Sequence, residues 1–151
     1  MELNQVKRII GYTLSVFFLA STVVNPSAEA AACKTITSRE WKLIAKNPNS
    51  AKGKNVWVFG KITQFDDATG LSVFRADVSG ENKFDGKFFF GGENTMVFGK
   101  SSILSNFVTG DIFTACVKVL GSYSYTTALT KGTLVVPKIQ AKSIKLIGTT
   151  D

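Results

Sequence analysis

The chain has 151 residues, enough for one ordinary globular domain with its own core and too few for a second domain with separate chemistry. It contains no histidine and only two cysteines, which excludes zinc fingers, His-dependent triads, HExxH metalloproteases and the usual haem and iron–sulfur ligation. A formal charge of +7 alongside 44% hydrophobic residues describes a folded basic protein, one that attracts anionic partners without choosing among them.

Residues 1–30 read as a secretory signal and stand apart from the fold. Lys7 and Arg8 give a positive start, and Ile9 to Val24 form an apolar run of 16 residues, shorter than the roughly 20 of a membrane-spanning helix. Pro26 breaks the run, and Ala28-Glu29-Ala30 is a small-residue cleavage pattern, with a second at Ala30-Ala31-Ala32. Cleavage is expected after Ala30 or Ala32, leaving a domain at 31–151 that is secreted or held in the cell envelope. An uncleaved anchor is the alternative. The lost segment carries two basic and two acidic groups, so the domain keeps the whole net charge. Cys33 follows the alanines where a lipoprotein would be lipidated, but Glu29 and Ala30 stand where such sites carry aliphatic residues. Two cysteines in an oxidising compartment pair most simply with each other. A Cys33–Cys116 disulfide closes a loop of more than eighty residues, for which loop entropy gives an upper figure of about 4 to 5 kcal/mol.

The domain opens with a helix: Thr37-Ser38-Arg39-Glu40 is a capping-box pattern, Trp41, Leu43, Ile44 and Ala45 share one face, and Pro48 ends the run. A polar turn at 47–54 follows, after which the sequence alternates as strands do. The first predicted strand is Asn55–Phe65, with Val56, Val58 and Ile62 on one face and Trp57, Phe59, Lys61 and Phe65 on the other. Gly60 in its middle predicts a bulge or bend. After a turn at 66–70, the second strand covers Leu71–Val78, with Phe74, Ala76 and Val78 alternating against Val73, Arg75 and Asp77. The third, Lys87–Phe98, is aromatic at its start and interrupted at 91–94. A short helix capped by Ser101 or Ser102 carries Ile103, Leu104 and Phe107. The fourth strand runs from Gly110-Asp111 to Gly121 with Phe113, Ala115, Val117 and Val119 inward, leaving Cys116 outward to meet an N-terminal segment. A loop at 122–132 leads to the fifth, Thr133–Ile147, whose inward phase moves from Ile139 and Ala141 to Ile144 and Leu146 and so predicts a bulge near Lys142 and Ser143.

Five strands, a glycine-bent first strand and a short helix between the third and fourth describe a mainly β domain, a five-stranded OB-fold Greek-key barrel with an N-terminal helix. A small sandwich is the competing arrangement. Trp41 with Asn47-Pro48, Gly53-Lys54-Asn55-Val56, the stretch from Gly60 to Phe65, Gly110-Asp111, Gly121, and Val136-Pro137 before Ile144 make the chain resemble exported bacterial OB domains similar to tRNA-anticodon-binding-like domains. These features cover most of residues 36–148 and fall at turns and core positions. The resemblance implies a ligand-binding barrel in an extracytoplasmic protein, where a tRNA ligand has no place.

Catalytic patterns are few. Gly99-Lys100-Ser101 imitates the end of a phosphate-binding loop, but position 94 is Asn where that loop needs Gly, and the preceding stretch reads as strand. The domain's two arginines, Arg39 and Arg75, are too few for the phosphate chemistry of OB-fold nucleases. Asp66 and Asp67 lack the further oxygens that a calcium ion needs. There is no Gly-x-Ser-x-Gly elbow, and a Ser–Lys pair leaves no spacing to read. The expectation is a binding protein without enzymatic activity, cofactor or metal, with a small OB-fold hydrolase as the enzymatic alternative.

Two surfaces are candidates for the ligand. One combines Trp57, Phe59 and Phe65 with Arg75 and the aromatic-basic stretch from Lys83 to Phe90, since rings among cations suit stacked bases or sugars. Packing inside the barrel is the competing use of those rings. The other is the 122–132 loop with Tyr123, Tyr125 and Lys131, which in OB folds flanks the cleft together with the loop at 66–70. Lys118, Lys138, Lys142 and Lys145 extend it as a basic ribbon or are simply solvated. The candidate ligand-binding residues are therefore Trp57, Lys61, Arg75, Tyr123, Tyr125 and Lys131. A protein or glycan of the cell envelope is the expected partner and single-stranded nucleic acid the alternative. Membrane contact is expected only if Cys33 is lipidated or the N-terminal segment stays uncleaved.

Overall fold

The computed structural model describes residues 32–65, 70–89, 91–127 and 131–150, so the expected signal segment and the Asp66-Asp67 turn lie outside the described residues. Helix α1 (Ser38–Lys46) starts where its capping box predicts. The Thr37 hydroxyl accepts from the Glu40 N–H at 3.1 Å, and the Glu40 carboxylate accepts from the Thr37 N–H at 2.7 Å. Trp41 and Ile44 form the buried side. Leu43 is 56% exposed, against expectation, because two residues at 100° each carry it past the helix face that Trp41 occupies.

Among the described residues six strands follow the chain as β1 (Lys34–Thr35), β2 (Asn55–Phe65), β3 (Val73–Ser79), β4 (Glu93–Phe98), β5 (Asp111–Thr126) and β6 (Thr133–Thr149), with a short helix α2 (Ser101–Leu104) between β4 and β5. They make one sheet in the order β1-β2-β3-β4-β6-β5, and a further pairing of β2 with β5 closes it into a ring. Neighbours run antiparallel except β1 with β2 and β4 with β6, which are parallel. The inward rows of β2, β3, β5 and β6 include the expected Val58, Ile62, Phe74, Phe113 and Ile139, all fully buried, joined by Val97 of β4, Trp41 from α1 and Leu104 from α2. Gly60 faces Val78 on β3 and Phe113 on β5 at once. A Cβ there would stand 2.7 Å from the Phe113 ring and 2.9 Å from the Asp77 carbonyl, which explains the glycine by close approach.

Bulges account for most departures from the expected pattern. In β2 the extra residue is Thr63, between Ile62 opposite Ala76 and Gln64 opposite Arg75. One inserted residue exchanges the faces of the strand, so Phe65 turns inward against Phe74, ring centroids 5.5 Å apart, and leaves the outward row where the alternation had placed it. In β6 the expected bulge is present at Lys142, between Ser143 opposite Cys116 and Ala141 opposite Val117. Ile144 then packs on the core, but Leu146, expected inward, is 50% exposed beside a further bulge at Ile147.

The remaining corrections concern lengths. The second predicted strand begins at Val73, after a 3-10 turn at Gly70–Ser72, and the third begins at Glu93. Residues ahead of it pair locally, Phe84 with Phe89, around a turn in which the Asp85 carboxylate accepts from the N–H groups of Lys87 and Phe88. Residues Ser122–Thr126 of the expected 122–132 loop extend β5 and pair with Thr133–Pro137 of β6 as a hairpin. The Cys33–Cys116 disulfide is present, with Cα atoms 5.7 Å apart, so the Cys33 sulfur has no room for a lipid. It ties the start of β1 to the outward side of β5.

Candidate functional site

On the outer side of the ring, Val73, Arg75 and Asp77 of β3 stand opposite Phe98, Met96 and Asn94 of β4. Lys61 and Gln64 of β2 lie opposite Asp77 and Arg75, while Lys138 of β6 lies opposite Met96. Register therefore makes one row across four strands, Gln64, Arg75, Met96 and Lys138, in which the two cations are separated by two strand spacings, about 10 Å.

The β5–β6 hairpin covers part of this face because of a fourth bulge, in β5. Val119 pairs with inward Ile139, but Gly121 pairs with outward Lys138, so Leu120 is the extra residue and every position beyond it changes side. Gly121 takes φ +112°, a conformation that side chains resist, and a Cβ on it would stand 2.6 Å from Asn49 Oδ1. That same Asn49 oxygen accepts from the Ser122 N–H at 3.0 Å and holds the bend. Tyr123 and Tyr125 then pack with Phe98 over a small second apolar cluster of Val73, Met96 and Val136.

Cations sit on the rings of this cluster. The Arg75 guanidinium lies 4.9 Å from the Tyr125 centroid and donates from Nη1 to Gln64 Oε1 at 3.1 Å. Lys138 Nζ is 4.5 Å from the Phe98 centroid and 5.9 Å from that of Tyr123. Each such contact is worth roughly 0.5–1 kcal/mol at an exposed site. Asn94 Nδ2 donates to the Tyr125 hydroxyl at 2.7 Å, and the two tyrosine rings are 6.4 Å apart. Burial pushes the Asp77 carboxyl above the usual carboxylate range, while Lys61 and Arg75 draw it back. Among the described residues, none of Lys61, Arg75 and Lys138 lies within 4 Å of a carboxylate. The face thus offers positioned N–H donors to an anionic group and ring edges to an apolar one.

Four of the six candidate residues, Lys61, Arg75, Tyr123 and Tyr125, come onto this one face. Trp57 does not: it stands opposite Cys116 and Thr35, beside the disulfide. Lys131 is at the hairpin tip with φ 54°, its N–H on the Thr127 carbonyl. Of the Lys83–Phe90 stretch, Lys83 pairs with Glu81 at 3.4 Å and the Phe84 ring packs on Gly148, while Phe90 lies outside the described residues. Phe98, Asn94, Gln64, Met96 and Asp77 escaped the sequence reading. The alternation of Asn94, Met96 and Phe98 was their signal, legible only once β3 and β4 are in register. Among the described residues no three His, Cys, Asp or Glu side chains cluster as a metal site would require. No family model, no curated protein and no solved structure matches the chain.

Proposed function

We propose that the protein is an exported, non-enzymatic binding module on an OB-fold barrel. Its ligand, a protein or glycan of the cell envelope, presents an anionic group to the outer face of β3 and β4 beside the β5–β6 hairpin. The observation that carries this reading is the pair Arg75 over Tyr125 and Lys138 over Phe98 and Tyr123, held in place before any ligand arrives and without a contacting carboxylate. Cations already ordered by rings lose less side-chain freedom on binding than free lysines do. The barrel reading is supported by the ring order of β2 to β6, the parallel β4–β6 pair and the helix between β4 and β5. On this reading β1 is a strap added to five barrel strands. Export rests on the signal-like pattern of residues 1–30 and is supported by the disulfide.

Single-stranded nucleic acid is the second reading, favoured by tyrosine rings 6.4 Å apart among cations. Against it, Arg75 already covers the ring of Tyr125 that a base would use. Affinity for acidic peptides, acidic glycans and oligonucleotides, measured at two ionic strengths, tests both. The expected result is an acidic peptide bound more tightly than an oligonucleotide, with Arg75→Ala and Lys138→Ala each lowering affinity for the peptide. An oligonucleotide bound best, with a log–log salt slope of about −0.7 per phosphate neutralised, would establish the second reading.

A further inference from the structure

The seam between β5 and β6 beyond the Lys142 bulge carries charge that the face on β3 and β4 does not use. Along it Lys118 stands opposite Gln140, Cys116 opposite Ser143 and Thr114 opposite Lys145, with Lys142 the extra residue between the first two pairs. At the rise of a strand, Lys118, Lys142 and Lys145 mark a line about 13 Å long with a cation about every 7 Å. All three are exposed, and among the described residues none is ion-paired. The residues interleaved with them are hydroxyl, amide and disulfide groups, with no carboxylate. Trp57 on β2 lies directly opposite Cys116 at the middle of the line and is 37% exposed.

We propose that this seam is a second binding face and that its occupant is an acidic polysaccharide, a linear glycan bearing a carboxylate on successive sugars. Lys118, Lys142 and Lys145 take the carboxylates, and Trp57 offers an apolar plane to one sugar ring. Three cations in a line with no acid between them attract a linear polyanion and repel a basic one. The rings decide between polyanions. Single-stranded nucleic acid brings one base with each phosphate and is held by a ring for successive bases, whereas this seam has one ring for three cations. The hydroxyl of Ser143 and the amide of Gln140, both exposed between the lysines, match the hydroxyls of a sugar.

The site needs neither Arg75 nor Lys138, so its test separates it from the face on β3 and β4. Oligogalacturonate, an uncharged oligosaccharide of equal length, a charge-matched oligothymidylate and phosphatidylglycerol vesicles are titrated into the disulfide-intact protein at low and physiological ionic strength. Oligogalacturonate is expected to bind best and the uncharged sugar not at all. Lys142→Glu and Lys145→Glu, exposed positions whose substitution leaves the core alone, each lower its affinity by about tenfold, while the Arg75→Ala, Lys138→Ala pair changes it less than about twofold. The proposal is overturned if oligogalacturonate fails to bind at low ionic strength, if oligothymidylate or the vesicles bind more tightly, or if the Arg75 and Lys138 variants abolish binding and the seam variants do not.

Discussion

Among the described residues, Asp77 is the one carboxylate that register places among the cations of the outer face, and its position has a consequence for pH. Lys61, Arg75 and the neutral Asn94 stand opposite or beside it, yet burial outweighs both cations and raises its pKa. The sign follows: a raised carboxyl pKa means that ionisation costs stability, so this contribution is present at low pH and is lost as pH rises through the folded pKa. Asp77→Asn is therefore expected to leave the melting temperature at neutral pH unchanged or higher. It should also tighten binding of a sulfated ligand, which stays ionised throughout, and remove the tightening that the unaltered protein shows as pH falls through the Asp77 titration. A lower melting temperature would show that the carboxylate is stabilising. Gly60 tests packing at the same scale. Gly60→Ala forces a methyl onto the Phe113 ring and the Asp77 carbonyl, and should cost about 1–3 kcal/mol in denaturant unfolding.

Among the elements, those set by local periodicity were legible: α1 by its capping box, and the inward rows of β3 and β5 by strict alternation. Where a strand takes up an extra residue, the sequence still alternates but the faces change, so alternation alone places Phe65 outward, and a strand ending at Gly121 leaves Tyr123 and Tyr125 in a loop. The bulge at Lys142 was readable because apolar residues change phase there, whereas around Leu120 and Gly121 tyrosines continue an apolar parity across the break. Gly121 is the hinge of that hairpin. Gly121→Ala must hold φ near +112° against the Asn49 side chain, and about 1–3 kcal/mol of destabilisation is expected. The near-ultraviolet dichroism of Tyr123 and Tyr125 should change with it. A variant as stable as the parent, with an unaltered tyrosine signal, would show that the hairpin does not depend on this bend.

For the whole molecule, the ring is closed by pairings between residues far apart in sequence, and no local pattern specifies that β4 lies beside β6 or that a two-residue strand covers the start of β2. The disulfide was legible because two cysteines leave one pairing. It spans 83 residues, and replacing both cysteines by serine should cost about 2–4 kcal/mol while leaving the ring able to fold. The candidate face was legible in part: the sequence marks Lys61 and Arg75 as strand cations and Tyr123 and Tyr125 as loop aromatics, but only cross-strand register puts Arg75 and Lys138 in one row. The central claim is that an anionic ligand meets that row, and backbone amide chemical-shift mapping during titration of the isotope-labelled protein with an acidic peptide tests it most directly. The account predicts saturable shifts concentrated at Gln64, Arg75, Met96 and Lys138 and along Tyr123–Tyr125. Saturable shifts that spare this row, or no shifts at low ionic strength, would contradict it.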